Sequence, residues 1–242
     1  MKQKIVQQAV GGVRAYFRKG EHEEGSDLQA LTEVLVRKSY RRVRDQFDVK
    51  PGEIWLDLGA NIGAFALYCA SHGATAVCFE PDPACFEVLK LNAPNYELFN
   101  AAVTAFTSDT VSFRTSNNPD NQYRGTVLGG KVRVPQRYVE HAPVSNIYAG
   151  DLNDVYDGVK MDIEGSEGPI FDAGLLPRCD KLVLEYHTSR DSSVARLKKR
   201  LAFLRKRFHH VKYPKTYDDA IANQLKDYRP RFDHLIFAWG AK

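Results

Sequence analysis

Residues 55–63, WLDLGANIG, decide the fold that this sequence adopts. The apolar run Ile54–Leu58 is followed at once by a turn that contains Gly59 and Gly63, and a helical pattern then ends at Gly73. Glycine allows the tight backbone geometry of such a turn and the close approach of a ligand. The stretch therefore predicts a buried strand, a ligand-binding turn and a helix, in that order.

The alternation of strands and helices continues on both sides of this stretch. Beyond it, near-continuous apolar strands are predicted at 75–80, 96–103, 158–162, 181–187 and 233–240, with helices at 82–94 and 192–208. Two short β segments, 110–115 and 131–138, flank a polar loop at 116–130. Apolar strands separated by helices indicate a parallel sheet covered on both faces. We therefore predict an α/β fold with a doubly wound, mostly parallel sheet over residues 51–242.

Residues 1–50 are predicted to form a helical extension that caps this domain. Ile5, Ala9, Val13 and Phe17 lie near helical spacing, which indicates an amphipathic helix. A second helix is predicted over residues 26–47, with Ser26 or Asp27 as its N-cap.

Composition excludes several classes of protein. With 43% hydrophobic and 26% charged residues the chain is an ordinary globular sequence, and its net charge of +4 does not establish a nucleic-acid partner. No run of 18 apolar residues is present, so no membrane span is predicted. The four cysteines lack metal-binding spacing, which favours reduced thiols and a cytoplasmic location. The sequence leaves the oligomeric state open.

Two acidic residues beside the glycine turn indicate a nucleoside ligand. Asp57 stands where the turn begins, and a carboxylate there suits an ammonium or a polar ligand group better than a phosphate. Glu80 ends the next strand, 21 residues after Gly59, where an acidic residue commonly bridges two ribose hydroxyls. The turn is not GxGxxG, so a dinucleotide is disfavoured. The combination predicts a nucleoside that carries a cationic tail.

The chain contains, in order, the segments WLDLGANIGAFALYCA, GATAVCFEPDP, NAAVT, KMDIEGSEGPIF and KLVLEYH. Together these segments resemble the FkbM-type family of S-adenosylmethionine-dependent methyltransferases. The similarity runs from about Gly52 to His187. It implies a class I methyltransferase fold, S-adenosyl-L-methionine as cofactor, and methylation of a hydroxyl on a sugar or another natural product. By the family pattern the amino-acid part of the cofactor is held by Asp57, Gly59, Asn61 and Gly63. Glu80 would hold its ribose, and Asp82 and Ala102 would lie near its adenine.

The segment KMDIEGSE, residues 160–167, supplies the candidates for proton transfer. Lys160 and Asp162 are two apart on a predicted strand and share a face, and Asp162 is the first choice for the general base. Glu185 and His187 repeat this spacing at the end of the next strand, where either could orient the substrate or assist proton transfer. Glu164 and Glu167 are interpreted as negative charge at the start of a helix.

A divalent cation is the alternative to a general base. Asp162, Glu185 and His187 could supply two oxygens and a nitrogen to such an ion. This set is unspecific, and metal-free catalysis is favoured over it.

The basic segment Ala195–Lys215 bears on whether the methyl acceptor is a nucleic acid or a small molecule or glycan. Leu197, Leu201, Leu204 and Phe208 form an apolar stripe, which favours a packed helix whose cations face solvent. The rival interpretation is a phosphate-binding surface, with Lys38, Asp162 and Glu185 imitating part of the set used by RNA 2′-O-methyltransferases. A small-molecule or glycan acceptor is favoured over nucleic acid, and over a non-catalytic nucleoside-binding or RNA-binding module.

Overall fold

The computed structural model describes residues 4–19, 26–41, 47–116, 126–127, 139–187, 193–223 and 234–242. The chain begins with an antiparallel hairpin of β1 (Lys4–Val10) and β2 (Val13–Lys19). A helix through Ile5 and Phe17 is therefore a wrong prediction. Gly11 and Gly12 form the turn with φ of 59° and 82°, a conformation that glycine adopts readily and that matches the twist of a hairpin.

The helical segment that follows is shorter than the sequence predicts. It consists of α1 (Ser26–Leu31), a π-helical turn at Thr32–Val36 and a 3₁₀ turn at Ser39–Arg41. Residues 42–46 of the predicted helix lie outside the described residues. Helical structure before the main domain is thus limited, in the described residues, to this segment after the hairpin.

A buried ion pair and an asparagine attach the hairpin to the rest of the protein. Arg18 and Asp27 are 7% and 4% exposed, and the Arg18 guanidinium donates to both Asp27 oxygens at 2.7 and 2.9 Å. Asn92 accepts from the Tyr16 amide at 2.7 Å and donates to the carbonyl oxygens of Tyr16 and Ile62. Asn92 therefore links the hairpin to the glycine turn.

The main domain starts with the elements that the opening stretch predicts. They are β3 (Ile54–Leu58), α2 (Ala64–Ser71), β4 (Thr75–Phe79), α3 (Pro83–Asn92) and β5 (Glu97–Phe99). The predicted strand 96–103 is divided at Asn100, whose amide donates to the Glu80 carbonyl oxygen at 2.8 Å. The second part belongs to a different sheet.

That second sheet contains β6 (Ala101–Thr104), β7 (Thr110–Ser116), β8 (Thr126–Val127) and β9 (Val139–Tyr148). Their order is β6-β9-β7-β8, and Ala102, Val111, Phe113 and Val144 form its small core. The strand predicted at 131–138 and most of the loop 116–130 lie outside the described residues.

The remaining elements complete the central sheet. They are β10 (Val155–Met161), α4 (Glu167–Ala173), β11 (Arg178–Tyr186), α5 (Val194–Arg207), β12 (Phe208–Lys212), α6 (Lys215–Ala222) and β13 (His234–Ala241). The seven strands are ordered β12-β13-β11-β10-β3-β4-β5, and β13 runs antiparallel to both its neighbours. The other pairings recorded between neighbours in this sheet are parallel.

Apolar residues on both faces of this sheet are buried, which confirms the doubly wound fold. Trp55 and Val183 pack with α2, α3 and the hairpin, whereas Leu56, Met161 and Leu182 pack with α4, α5 and α6. The chain leaves β3 toward β4 and returns to the other side of β3 at β10. Ligands bind at such a reversal, beyond the carboxyl ends of the strands.

The basic helix α5 packs as predicted. Leu197, Leu201, Leu204 and Phe208 are buried, and Lys198, Lys199, Arg205 and Lys206 are exposed. Arg200 is buried instead and donates to Asp172 at 2.8 Å and to the Tyr186 hydroxyl at 2.6 Å. In the described residues, no helix is long and apolar enough to cross a membrane.

The Arg18–Asp27 pair gives a test of how the hairpin is attached. Asp27→Asn leaves a buried guanidinium without its counter-charge, so the free energy of unfolding should fall by about 3–5 kcal/mol. Glu87→Gln removes one partner of the exposed Lys90–Glu87 pair and is the control, with an expected change within about 0.5 kcal/mol. Urea unfolding monitored by circular dichroism measures both, and equal stability of the two variants would contradict this view of the hairpin.

Candidate functional site

The turn after β3 packs directly against the segment that follows β10. The amides of Gly59 and Ala60 both donate to the Phe79 carbonyl oxygen at 2.9 Å, which fixes the turn to the end of β4. Gly59 has a φ of 79°, and a Cβ atom at this position would lie 1.9 Å from the Asp162 carbonyl oxygen. The absence of a side chain at Gly59 is therefore what allows the turn and the acidic segment to meet.

Glu80 is held rigidly at the end of β4. It is 6% exposed, and its two carboxylate oxygens accept hydrogen bonds from the backbone amides of Asn61 and Asp82, each at 2.7 Å. Burial raises the pKa of Glu80 to about 8, although both amides oppose this shift. Asn61 reaches this position in the left-handed region, at φ 51°. The carboxylate is thus oriented before any ligand arrives.

Asp82 both lines the pocket and stabilises the start of α3. Its side chain caps α3 by accepting hydrogen bonds from the amides of Ala84 and Cys85 at 2.8 and 3.3 Å. The sequence prediction assigned it only to the adenine.

A pocket lies between the glycine turn, the end of β4, the second sheet and the segment after β10. Its lining combines the polar groups of Asn61, Glu80 and Asp82 with an apolar wall, made of Phe79, Ala102, Val103 and Phe113. Asp162, Glu164 and Ser166 line the opposite part. The structure therefore brings together Gly59, Asn61, Glu80, Asp82 and Ala102 of the predicted cofactor-binding residues, and Asp162 of the predicted catalytic ones.

Asp57 and Lys160 form a buried pair beside this pocket and are not among its lining residues. Both are almost fully buried, and Asp57 Oδ1 lies 3.1 Å from Lys160 Nζ. The Lys160 ammonium also donates to the Gly59 carbonyl oxygen at 2.6 Å. Burial lowers the pKa of Lys160, but Asp57 and its other neighbours raise it by more, so the lysine stays charged. In this position the pair stabilises the turn.

Gly63 also lies outside the pocket lining and has a packing role. It precedes α2 with a φ of 88°, and a Cβ atom there would lie 2.8 Å from the Leu89 side chain. The left-handed φ and the close approach of α3 together favour glycine at this position.

The carboxylates of residues 162–167 gather around His187. His187 Nδ1 lies 2.9 Å from Glu167 Oε1, and His187 Nε2 lies 3.4 Å from Glu164 Oε2 and 3.9 Å from Asp162 Oδ1. Burial lowers the pKa of His187, but the three carboxylates, Glu167 first, raise it well above its ordinary value. We refer to these four residues, Asp162, Glu164, Glu167 and His187, as the carboxylate–histidine cluster.

Glu167 is a member of this cluster that the sequence interpretation underrated. It does begin α4, as the sequence suggested, but it is 1% exposed. Its Oε1 accepts the Ile163 amide at 3.1 Å in addition to facing His187. The positive φ of Glu164 and Gly165, 51° and 100°, turns the chain back so that Glu167 can reach the histidine.

Tyr40 is partly buried and close enough to Lys160, Asp162 and Glu185 to interact with their charges. Burial raises the pKa of the Tyr40 hydroxyl, and the charges of Asp162 and Glu185 add to that shift. The Tyr40 ring packs edge-on against Phe65 at 5.3 Å between centroids. Neither periodicity nor spacing singles out Tyr40, so no signal in the sequence pointed to it.

Comparison with known proteins points to one family. A family model described as Methyltransferase FkbM domain matches residues 57–214. The 31-O-demethyl-FK506 methyltransferase FkbM of Streptomyces tacrolimicus is 31% identical over 96 residues, 38% of this chain and 36% of that protein. The chain thus aligns with about a third of that relative's length.

The fold agrees with solved structures too. The structure of M. jannaschii TYW2 in complex with AdoMet superposes with a TM-score of 0.51 at 16% identity, over 100% of this chain and 88% of that one. At this identity the likeness concerns the fold, which is that of class I methyltransferases.

The contact at Gly59 can be tested with a matched pair of glycines. Gly59→Ala should destabilise the protein by more than about 3 kcal/mol, because the new methyl group meets backbone that cannot move aside. Gly52 has a φ of 81°, but no atom lies within 4 Å of the position that a Cβ atom would take there. Gly52→Ala should therefore lower the free energy of unfolding by only roughly 1–2 kcal/mol, the cost of the left-handed conformation for alanine. Urea unfolding measures both, and equal losses would contradict the close contact.

Glu80 makes stability depend on pH. Since its folded pKa is about 8 and its ordinary value is 4.5, native Glu80 holds a proton between these values that the unfolded chain has released. Its contribution to stability is therefore lost as the pH rises through this window, with a slope of at most about 1.4 kcal/mol per pH unit. Unfolding of wild type and Glu80→Gln from pH 5 to 8.5 should show the variant gaining relative stability with pH. Parallel pH curves would contradict a raised pKa.

Proposed function

This chain belongs to the FkbM family of S-adenosylmethionine-dependent methyltransferases, and we propose that it methylates a hydroxyl group, preferably one on a sugar or glycan. The proposal rests on one observation, which is that Asp162 belongs to two features of the structure at once. This residue lines the pocket beside Gly59 and Glu80, and it also belongs to the carboxylate–histidine cluster. A carboxylate that could accept a proton thus lines the pocket.

The residues of the pocket fit S-adenosylmethionine. A nucleoside needs an acceptor for its ribose hydroxyls and an apolar surface for its base. Glu80 is preoriented at the end of β4, and Phe79, Ala102 and Phe113 supply apolar surface nearby. Glu80 would hold the ribose, the turn at Gly59 and Asn61 would hold the amino-acid part, and Ala102 would contact the adenine. When bound, the cofactor supplies an electrophilic methyl group.

In this proposal Asp57 contributes to cofactor binding indirectly, by stabilising the glycine turn. Its carboxylate neutralises the buried Lys160, whose ammonium fixes the Gly59 carbonyl oxygen. Lys160 is then a positioning residue for the turn, and the proton-transfer role lies with Asp162.

A hydroxyl acceptor needs help because its pKa is near that of water, about 16. It must be aligned behind the methyl group and lose its proton at or near the transition state. Asp162 would accept the hydroxyl proton and pass it to solvent, while the bound cofactor would supply the methyl group and keep the electrons of the broken carbon–sulfur bond.

The choice of acceptor rests on two observations. The name of the FkbM relative describes an O-demethyl substrate, which is an oxygen acceptor. Among the described residues, no lysine or arginine lines the pocket, and Lys198, Lys199, Arg205 and Lys206 of α5 are exposed elsewhere, which favours a polyhydroxylated neutral acceptor over a phosphate backbone.

Asp162→Asn tests the proposed base. The amide preserves the shape of the carboxylate but removes its basicity, so turnover should fall by roughly 10²–10⁴-fold while cofactor affinity changes far less. The measurement is transfer of a labelled methyl group to a panel of sugars, glycans and RNA, with calorimetry for cofactor binding. Asp154→Asn is the control: Asp154 is exposed and directly precedes β10, the strand that Asp162 follows, and this variant should keep full turnover.

Two outcomes of that panel would contradict the proposal. If RNA alone is methylated, and activity is lost when Lys198, Lys199, Arg205 and Lys206 become glutamine, the acceptor is a nucleic acid. If Asp162→Asn keeps full turnover on a hydroxyl substrate, Asp162 is not the proton acceptor.

A further inference from the structure

Ser166 is a buried polar residue to which the proposed function gives no role. It lies directly before α4, it is 2% exposed, and it lines the pocket. Its hydroxyl is shielded from solvent and has no hydrogen-bond partner among the residues that the structure describes. A buried hydroxyl in this state has lost its hydrogen bonds to water without replacement, which destabilises the protein until a bound molecule supplies a partner.

Two other buried hydroxyls, those of Ser39 and Thr104, have partners within the protein. Ser39 Oγ donates to the Glu33 carbonyl oxygen at 2.9 Å, and Thr104 Oγ1 donates to Asn146 Oδ1 at 2.8 Å. Neither residue lines the pocket. Of these three buried hydroxyls, the one without a partner is therefore the one at the pocket.

The position of Ser166 in the fold places it beside the apolar wall of the pocket. Helix α4 begins at the next residue and contacts β6. Strand β6 supplies Ala101, Ala102 and Val103 to the pocket lining, and Phe113 of the second sheet lies with them. This wall is the apolar surface that the proposed function assigns to the adenine.

The chemistry of the lining makes a hydroxyl at this wall useful. Among the described residues that line the pocket, the polar side chains other than Ser166 are Asn61, the Cys85 thiol and carboxylates. An ionised carboxylate only accepts hydrogen bonds, whereas a hydroxyl also donates one. Adenine presents ring nitrogens that accept hydrogen bonds. A neutral donor beside an apolar wall therefore suits the edge of this base.

We propose that the Ser166 hydroxyl binds the adenine of S-adenosylmethionine by donating a hydrogen bond to one of its ring nitrogens. The inference rests on the proposed function for the assignment of the pocket to this cofactor, but not for the choice of acceptor. A site that hydrogen-bonds one group of its ligand rejects an analogue without that group, because the buried protein partner is left unpaired. Ser166 would thus make the pocket selective for the base.

Calorimetry with S-adenosylhomocysteine and its 1-deaza, 3-deaza and 7-deaza forms tests this contact, because each analogue has carbon in place of one ring nitrogen. Wild type should bind one of the three about 3–10-fold more weakly than the parent compound, as expected for one lost hydrogen bond. Ser166→Ala should bind the parent compound more weakly by a similar factor, and should bind that same analogue as well as the parent. Ser39→Ala also removes a buried hydroxyl, but not one at the pocket, and should bind all four compounds as wild type does.

Thermal unfolding without ligand separates a ligand contact from a structural role. Ser166→Ala should not lower Tm, because the hydroxyl that it removes has no partner among the described residues. Ser39→Ala should lower Tm by about 2–4 °C, because it breaks the hydrogen bond to the Glu33 carbonyl oxygen. An equal loss of Tm in both variants would show that the Ser166 hydroxyl serves the fold, and would contradict the inference.

The binding data distinguish failure of this inference from failure of the proposed function. If Ser166→Ala binds S-adenosylhomocysteine as wild type does, or if both proteins lose affinity for the three analogues by equal factors, Ser166 does not contact the base. If wild type binds none of the compounds, the assignment of the pocket is wrong, and the inference is wrong with it. Binding as expected by a protein that methylates no hydroxyl would instead support the inference and contradict the proposed function.

Discussion

The close contact between Gly59 and the Asp162 carbonyl oxygen is the constraint on which the site depends. Strands β3 and β10 are parallel neighbours, with Asp57 paired in register with Lys160, so the segments after these two strands must pass each other at the rim. They can do so only because Gly59 has no side chain, since a Cβ atom would lie 1.9 Å from that oxygen. The buried Lys160 then joins Asp57 to the Gly59 carbonyl oxygen. The glycine turn, the ion pair and the acidic segment are therefore one structural unit.

This unit connects two chemically different regions. On one side Glu80 and an apolar wall form a pocket suited to a nucleoside, and on the other three carboxylates surround His187. Asp162 belongs to both. A group transferred from a ligand in the first region would therefore reach an acceptor held in the second, which is the arrangement that methyl transfer requires.

The sequence predicted those parts of the molecule whose signals are local. The apolar strands, the glycine turn and the amphipathic α5 follow from periodicity, and the parallel sheet follows from their alternation. The N-terminal hairpin was mispredicted because Ile5, Ala9, Val13 and Phe17 also fit a helix. Gly11 and Gly12 were the contrary signal, because two central glycines favour a two-residue hairpin turn over a helix interior. The partners of Asp57 and Glu167 could not be predicted, because they depend on contacts between segments distant in sequence.

The crystal structure of the protein with S-adenosylhomocysteine tests the central claim most directly. The account predicts that the ribose hydroxyls contact the Glu80 carboxylate, that the adenine lies against Ala102, and that the sulfur faces Asp162. A ligand bound away from Glu80, or with its sulfur turned from the carboxylate–histidine cluster, would contradict it.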